Sequence, residues 1–588
     1  MSAVRRVAAG VVTVLLTTAL AACVRLPESG PVVEAQPPSA VEEPQAAAID
    51  AVPPRPGDLP PGIVNGFLDA MTAYPVRTSV AREFLAQEAQ SSWDPNAATI
   101  TYTTASTPRA DGAEVAVTLS DPESLDAQGA WQGPLPAGDR VLKFPMVIED
   151  GEYRIAAAPD ALIVPAQWFA QRFRQVSLYF FDRTAQILVP EPVFVPRDKQ
   201  LATTLIDGLL AGPGPELSGV ARSFLPPDLT VELSVPVSVD GVADVRLLGE
   251  AGQANAEVVE KMLAQLTWTL RQEPSIRAIR LSVGEDQVRL PGGASEFGVD
   301  DAPQYDPSGN QASQALYGLR GGLLFSGDPE TLAAVDGPLG LERYGLRSVA
   351  VNLSASTAAA VSTDGTGVLL APVRNDPAEE DEAVGGVEQV VSGATDLLPP
   401  AWDFTDRLWL VDRTAAGARV SIREGGRLRS LTVPSVTGED VRSFLVSRDG
   451  TRFVAVVRTD GVDGLRVGRI EVDFKGRVRR AVVVRTVTFR DTEPLRVTDI
   501  AWTSPTSIAL LSQVVPGELF EVRTVTVDGA PAGAEALSTT ISARVVALAG
   551  SPVEDAQQYA VTRDGLVDLA TGALVPLEAR VSSLDYVG

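Results

Sequence analysis

The chain has 588 residues and a formal net charge of −26. It contains no histidine and one cysteine, which excludes intramolecular disulfides, cysteine-rich zinc sites and every Ser-His-Asp or Cys-His mechanism. The acidic balance argues against nucleic acid as a partner, because neutralising phosphates requires clustered lysine and arginine.

Residues 1–22 are predicted to be a lipoprotein signal peptide. Two arginines precede an apolar run from Val7 to Leu20, which is shorter than the about 20 residues that a membrane span needs. Small residues follow and end at Cys23. We expect Cys23 to become the first residue, to carry a diacylglyceryl group and an acyl chain such as palmitate, and to hold the protein on the extracytoplasmic face of the cell membrane. The alternative is a plain signal peptide followed by a chance cysteine.

Residues 23–61 are predicted to be a tether between the lipid and the folded domains. Residues 27–61 contain ten prolines and no aromatic residue. Such a composition buries too little apolar surface to fold, and its prolines stiffen it towards polyproline II. At about 3 Å per residue, the extended tether can hold the folded domains on the order of 100 Å from the membrane.

Residues 62–160 are predicted to form a small α+β domain. Apolar residues recur at helical spacing from Ile63 to Met71, and a second helical stretch runs through Val80 and Leu85. Alternating segments follow, which predicts helices packed on one antiparallel sheet. A hairpin with its turn at Asp150-Gly151 resembles the closing hairpin of cone-shaped domains similar to nuclear transport factor 2. The resemblance implies a scaffold, with a small-ligand pocket as the alternative.

Residues 174–295 are predicted to form a second α+β domain. A strand at Ser177–Phe181 is followed by a helix that ends at Gly212 and Pro213, the residue types that stop helices. The later predicted elements are a strand over 229–235, a strand over 242–247, a helix over 256–270 and a strand over 276–283.

This order of elements resembles the GerMN domain, named from spore germination proteins. The matching features are the Leu-Tyr-Phe-Phe strand, the Leu-Leu-Ala-Gly-Pro helix end and the late helix before the last strand. The resemblance implies a binding or assembly module without known catalysis. The residues interpreted as its core are Leu178, Ile206, Leu209 and Leu266.

Residues 300–588 are predicted to form an all-β propeller. A faint repeat aligns Leu346–Ser354 with Val441–Asp449, an offset of 95 residues that covers two units. Equivalent strand ends lie 44 to 56 residues apart, which suits one four-stranded blade. These strand ends are Val351, Trp402, Val446, Trp502 and Leu548.

The last residues of the chain are predicted to close the propeller. Ser582–Tyr586 resembles one more inner strand with no blade after it, and its natural partner is the incomplete unit around residues 323–335. The two would form one shared blade and complete a ring of six. The predicted fold class is therefore multidomain: two small α+β domains, cone-shaped and GerMN-like, followed by an all-β propeller with six blades.

Two charged segments of the propeller region leave alternatives open. Residues 376–382 carry five acids, which suits an exposed insertion; calcium binding is the alternative, although the ligand-glycine spacing of a calcium loop is missing. Arg477–Arg480, Arg485 and Arg490 form a basic cluster. Their alternation with valines places them on the polar face of strands, and a docking patch for an acidic protein or envelope polymer is the alternative.

Taken in order, these features resemble the actinobacterial LpqB lipoprotein family over essentially the whole chain. The resemblance implies an accessory lipoprotein that binds the extracellular part of the sensor histidine kinase of the Mtr two-component system. Through that contact it would modulate signalling in cell-envelope homeostasis and division. The resemblance also implies Cys23 as the lipidated residue, with no catalytic residue, metal or cofactor to carry over.

Two other functions are considered. One is a structural envelope lipoprotein that binds peptidoglycan or self-assembles through its GerMN domain. The other is an extracytoplasmic hydrolase or dehydrogenase with its site in the propeller channel. Such sites use histidines or converging carboxylates on calcium, yet the residues after three inner-strand ends are Asp403, Ser447 and Thr503. We therefore do not predict an enzyme.

Overall fold

The computed structural model of the chain describes residues 49–250, 255–290, 293–375, 386–489, 494–532 and 538–588. The first helix starts at two prolines, which suit the first turn because their missing N–H groups have no helical partner there. It buries Ile63, Val64 and Phe67 on one face. The helices of this first part are Pro60–Ala70, Ser79–Arg82 and Gln87–Ser92, with a 3₁₀ turn at Ala137–Arg140.

The strands of this first part form two small sheets. Asp150 and Gly151 both have positive φ, of 51° and 84°, and make the predicted hairpin turn. One sheet has the order Trp131–Pro134, Glu123–Asp126, Ala98–Tyr102 and Leu162–Pro165. The other has the order Thr104–Ala105, Glu114–Ser120, Val141–Glu149 and Glu152–Ile155, with Arg109–Asp111 paired to Glu114–Ser120.

Two predictions for this part are wrong. The sheet is not single and wholly antiparallel, since Ala98–Tyr102 pairs in parallel with Leu162–Pro165, a strand beyond the predicted end at residue 160. The second helical stretch is interrupted at Leu85, which forms a parallel bridge with Ile155. Backbone pairing with a strand that is distant in sequence therefore outweighs the local helical pattern.

The C-terminal end of the predicted tether, residues 49–61, differs from the extended linker that was predicted. Ile49 and Tyr74 exchange two backbone hydrogen bonds of 3.0 Å, and the Gly57 amide donates to Glu152 Oε2 at 2.8 Å. Residues 49–61 thus pack on the first domain instead of belonging to an extended linker. The rest of the predicted tether lies outside the described residues.

The second domain follows the connecting helix Ala166–Arg172 and contains the predicted elements with one exception. The predicted strand over 229–235 is reduced to Thr230–Val231, because the chain then turns outward and leaves Leu233 91% exposed. The helices are Leu201–Leu210 and Ala256–Leu270, with a 3₁₀ turn at Pro215–Leu217. The strands are Phe173–Asp182, Leu188–Pro196, Ala221–Arg222, Thr230–Val231, Val242–Leu248, Ala278–Val283, Asp286–Gln287 and Phe297–Gly298.

The core of the second domain is confirmed. The four side chains predicted to be core are at most 2% exposed and belong to one hydrophobic cluster between the two helices and the sheets. Val242–Leu248 and Ala278–Val283 pair in parallel, with Ala256–Leu270 as their crossover. These four residues are Leu178, Ile206, Leu209 and Leu266.

Over the described residues, the C-terminal region is all-β apart from a 3₁₀ turn at Pro303–Tyr305 and a short helix at Pro338–Leu341. In the described residues it contains six four-stranded antiparallel sheets. From the inner strand outward, five of them are Leu346–Val351, Thr357–Ser362, Val368–Pro372 and Glu388–Val391; Ala401–Trp402, Leu408–Thr414, Gly417–Glu424 and Arg427–Leu431; Asp440–Val446, Arg452–Thr459, Val462–Val472 and Val478–Val487; Val497–Ser504, Ser507–Val515, Leu519–Thr526 and Ser538–Ile541; and Val545–Ala549, Tyr559–Thr562, Gly565–Asp568 and Leu574–Pro576.

The remaining sheet combines the two ends of this region. The last strand of the chain, Ser582–Asp585, pairs with Leu316–Arg320, which is followed by Leu323–Gly327 and Ala333–Ala334. The innermost strand of each sheet contacts that of the next sheet, and the last contacts the first. The innermost strands of the six described sheets therefore form a ring, in which Ser582–Asp585 is the innermost strand of the sheet that also contains Leu316–Arg320.

Candidate functional site

The lipidated Cys23 and the acidic run over 376–382 lie outside the described residues, as does the predicted signal peptide over 1–22. Lipidation of Cys23 stays a prediction, as does the exposed character of the acidic run. Among the described helices, none is long and apolar enough to cross a membrane.

The innermost strands enclose a cavity of about 160 Å³ at the centre of the ring. Two carboxylates face it, Asp499 on Val497–Ser504 and Asp585 on Ser582–Asp585, and the innermost strand Val545–Ala549 lies between these two strands. Asp499 Oδ2 accepts a hydrogen bond of 2.9 Å from the Leu548 amide. Asp585 Oδ1 accepts bonds of 3.0 Å from the Gly550 amide and 2.8 Å from the Tyr586 amide. The two aspartates thereby connect three successive innermost strands.

One end of this cavity is closed by a buried arginine. Arg448 is 3% exposed and donates to the carbonyl oxygens of Ser308 at 3.1 Å and Val587 at 2.9 Å. Burial lowers the pKa of Arg448 to about 10. Burial likewise raises the pKa of Asp499 to about 6 and that of Asp585 to about 7, with the Asp499 carboxylate also raising the second.

The polar groups at the centre of the ring hydrogen-bond to the backbone of the innermost strands and of the last residues of the chain. Asp403, the one acidic residue at a predicted inner-strand end, is fully buried and accepts bonds from Arg407 Nε at 2.7 Å and Trp409 Nε1 at 3.1 Å. Asp403 therefore stabilises the turn between the strands Ala401–Trp402 and Leu408–Thr414. Within the described ranges, no group of three or more acidic residues is placed to hold a metal ion.

The raised pKa of Asp585 gives a pH-dependent prediction. The native chain binds the Asp585 proton up to about pH 7, whereas an unfolded aspartate releases it near pH 4. The native state therefore holds more protons between these values, and stability falls as pH rises through the window. Asp585→Asn keeps an oxygen acceptor without the charge, so we expect it to raise the melting temperature at pH 8 and to have less effect at pH 5.

Thermal unfolding followed by circular dichroism at the two pH values measures this difference. Asp286→Asn, at an exposed strand position, is the matched control and should not reproduce the pH-dependent gain. A variant that melts below the unchanged protein at both pH values would show that the charged carboxylate itself stabilises the closure.

The second cluster of charged residues joins the GerMN-like domain to the ring. Glu191 Oε2 accepts from Arg452 Nη2 at 3.2 Å and from Arg469 Nη2 at 2.5 Å. Arg452 also donates to the carbonyl oxygen of Pro190 and lies 3.8 Å from Asp449. Both arginine side chains are at least nine-tenths buried, so one carboxylate connects two strands of the ring to the second domain.

The contact of Glu191 with Arg452 and Arg469 is called the joint. Further polar contacts between the second domain and the ring extend it. Arg485 Nη2 forms a 3.0 Å ion pair with Glu216 Oε1, and Gln175 Nε2 donates to Asp528 Oδ2 at 2.8 Å. Burial raises the pKa of both acids. Arg485 belonged to the predicted basic cluster, and the structure uses it for a contact within the chain. Of its described neighbours, Arg477 and Arg480 pair with Asp473 and Glu471, whereas Arg490 lies outside the described residues.

The first domain is fixed to the second through aromatic packing. The rings of Trp131 and Phe169 lie 5.7 Å and 5.2 Å from the ring of Phe194. The Phe194 amide donates to the Gly129 carbonyl at 2.8 Å, and a Cβ on Gly129 would lie 2.3 Å from the Phe194 oxygen. Through the described residues, contacts therefore connect the first domain to the second domain and the second domain to the ring.

The sequence did not identify Glu191, Arg452 or Arg469 as joint residues. A signal was present, because each is a charged residue in a strand whose residues are mostly buried. A charged residue in such a position requires a partner. The partner of Glu191 lies 261 residues away, and nothing local indicates which one it is.

Family models match three consecutive segments of the chain. The model described as Lipoprotein LpqB, N-terminal domain, matches residues 53–170. A model described as Sporulation and spore germination matches 177–289, and Lipoprotein LpqB beta-propeller domain matches 322–573. The predicted GerMN-like domain and the predicted propeller are thus confirmed.

Curated relatives extend over most of the chain. A Lipoprotein LpqB from Thermobifida fusca (strain YX) is 28% identical, and the alignment covers 87% of this chain and 88% of that protein. One from Streptomyces avermitilis is 27% identical, with 94% and 93% covered. Among solved structures, the first GerMN domain of the sporulation protein GerM from Bacillus subtilis is 25% identical, with 21% of this chain and 97% of that chain covered and a TM-score of 0.18.

Proposed function

Since this chain belongs to the LpqB lipoprotein family, we propose that it is an accessory protein held by a lipid on Cys23 that binds the extracellular part of a sensor histidine kinase. The family names make it an envelope lipoprotein with a β-propeller domain. The finer proposal names the kinase of the Mtr two-component system and a modulating role in envelope homeostasis and division. It includes no catalytic step and no cofactor.

The observation that carries the proposal is the match of both LpqB models to one chain, on either side of a GerMN-like domain. The buried joint around Glu191 supports it physically. Packed domains joined by buried ion pairs and aromatic contacts can present one surface of fixed shape, which reduces the ordering cost of binding. A protein that modulates a receptor by contact benefits from such a surface.

Crosslinking in intact membranes tests the proposal. Photo-crosslinkable residues placed on the exposed surface of the full-length lipidated chain should capture the sensor kinase, identified by mass spectrometry. A lipoprotein of unrelated fold with the same signal peptide is the control for proximity alone. Equal capture of the kinase by both proteins, with both correctly localised, contradicts the proposal.

Cys23→Ala tests the anchor. We expect the variant to leave the membrane fraction or to accumulate as an uncleaved precursor, because two acyl chains give durable attachment where one gives marginal binding. Immunoblots of salt-washed membranes measure the outcome, and Ala22→Gly, which keeps a small residue before the cysteine, should behave normally. Normal processing of Cys23→Ala with retention after the wash would exclude the lipid anchor.

A second candidate function is structural, through self-association of the GerMN-like domain. The observation that favours it is an apolar surface next to the strand Thr230–Val231, where Leu233 is 91% exposed and Val239 is fully exposed. Sedimentation velocity of the chain lacking its signal peptide should then show dimers that Leu233→Asp dissociates. A monomer at all concentrations would contradict self-association and leave the accessory role as the only candidate function.

A further inference from the structure

The ring has two faces, defined by the ends of its innermost strands. The indole N–H of Trp402 donates to the Ala350 carbonyl at 3.2 Å, and that of Trp502 donates to the Val446 carbonyl at 3.0 Å. All four residues lie at or near the ends of innermost strands. The strand ends therefore meet on one face, and the strand starts meet on the opposite face.

The joint to the rest of the chain lies on the face where the strands end. Arg448 lies in the turn after the innermost strand that ends at Val446, and Arg452 is the first residue of the next strand. Arg448 contacts Ser308 in the segment before the ring, and Arg452 contacts Glu191 in the second domain. We call the opposite face, where the innermost strands begin, the open mouth.

Four exposed arginines gather at the open mouth. Arg496 and Arg544 directly precede the innermost strands that begin at Val497 and Val545. Arg580 lies two residues before the closing strand Ser582–Asp585. These three hold equivalent places in three successive sheets, whose innermost strands contact one another. Arg563 lies in the turn between Tyr559–Thr562 and Gly565–Asp568, at the same mouth and in the middle sheet of the three.

This group is called the arginine rim, and its guanidinium groups are accessible to an acidic partner. All four side chains are exposed, and the structure gives none of them an ion pair with another described residue. The described loops that hold them contain two acids, Asp564 and Glu578, against four arginines. The equivalent places in the other three sheets are Gly345, Pro400 and Glu439, so the basic surface occupies one side of the mouth.

We propose that the arginine rim, formed by Arg496, Arg544, Arg563 and Arg580, binds an acidic segment on the extracellular part of the partner kinase. The identity of the partner rests on the proposed function. Guanidinium groups bind carboxylates through two parallel hydrogen bonds, and arginine is enriched in protein interfaces. Val546, 47% exposed at the same mouth, adds an apolar contact beside the charges.

A protein segment suits the rim better than an anionic membrane surface. The whole chain carries a net charge of −26, so approach to an extended anionic surface is opposed over much of the molecule. A single acidic segment meets only the rim, because charges beyond about 8 Å are screened at physiological ionic strength. The rim also lies on the face that the joint leaves uncovered.

The test is a triple charge reversal in the full lipidated chain, Arg544→Glu, Arg563→Glu and Arg580→Glu. The control reverses three exposed arginines elsewhere, Arg277, Arg427 and Arg479, so that both variants have the same net charge. Binding of the kinase extracellular domain is measured by biolayer interferometry in two salt concentrations. We expect the rim variant to bind at least about 100-fold more weakly and the control to bind within about threefold of the unchanged chain.

The outcomes distinguish failure of the rim proposal from failure of the proposed function. Equal binding by the rim variant and the unchanged chain overturns the rim and leaves the partner in place, whereas absence of binding by the unchanged chain overturns both. Melting temperatures of the two variants check that they are folded. Rim-dependent sedimentation with anionic phospholipid vesicles, together with unaltered kinase binding, would assign the rim to the membrane and contradict the proposal.

Discussion

Glu191→Ala is expected to lower the free energy of unfolding by about 3–5 kcal/mol, the usual effect of removing one partner from a buried ion pair. The substitution leaves Arg452, 1% exposed, and Arg469, 7% exposed, without the carboxylate that they share. Asp449 lies 3.8 Å from Arg452 and compensates only one of the two charges. Denaturant unfolding followed by circular dichroism measures the loss.

A surface ion pair provides the matched control. Arg423 and Glu388 are 3.2 Å apart, but the glutamate side chain is 60% exposed, so Glu388→Ala should cost less than about 1 kcal/mol. Similar small losses in both variants would mean that solvent reaches the joint and that its arginines need no partner. A large loss confined to Glu191→Ala would establish the joint as a main contact between the second domain and the ring.

Elements with a strong local pattern could be predicted from the sequence. The helix Ala256–Leu270 agrees with its predicted bounds, because its apolar residues recur at helical spacing and Asn255 caps it by accepting from the Val258 amide at 2.9 Å. The closing strand Ser582–Asp585 was also predicted, since it follows the pattern of an inner strand without a blade after it. In both cases neighbouring residues carry the information.

Features set by distant residues could not be predicted. The helical pattern through Leu85 was broken by a strand 70 residues later, at Ile155. The joint around Glu191 is likewise assembled from strands of separate sheets. The same holds for Asp499 and Asp585, which face the cavity at the centre of the ring. The arginine rim becomes visible only when strand starts are known to share a face, because Arg496, Arg544 and Arg580 are far apart in the chain.

A chain ending at Ala579 should lose much of the stability of the propeller. It lacks the strand that pairs with Leu316–Arg320, together with Leu584 and Val587, which are 1% and 3% exposed. Arg448 also loses the Val587 carbonyl to which it donates. Each buried polar group left unpaired costs about 1–3 kcal/mol, so several together approach the roughly 5–15 kcal/mol that stabilises a typical domain.

Limited proteolysis with fragment identification, run alongside thermal unfolding, tests this expectation domain by domain. The propeller should become susceptible at a much lower temperature, whereas the second domain should stay protected, because its core cluster includes no residue of the ring. A synthetic peptide of residues 580–588 added in trans should restore part of the lost stability if the missing strand is the cause. Unchanged melting of the truncated chain would contradict ring closure by the last strand, since a closed ring cannot lose the innermost strand of one sheet without exposing the strand beside it.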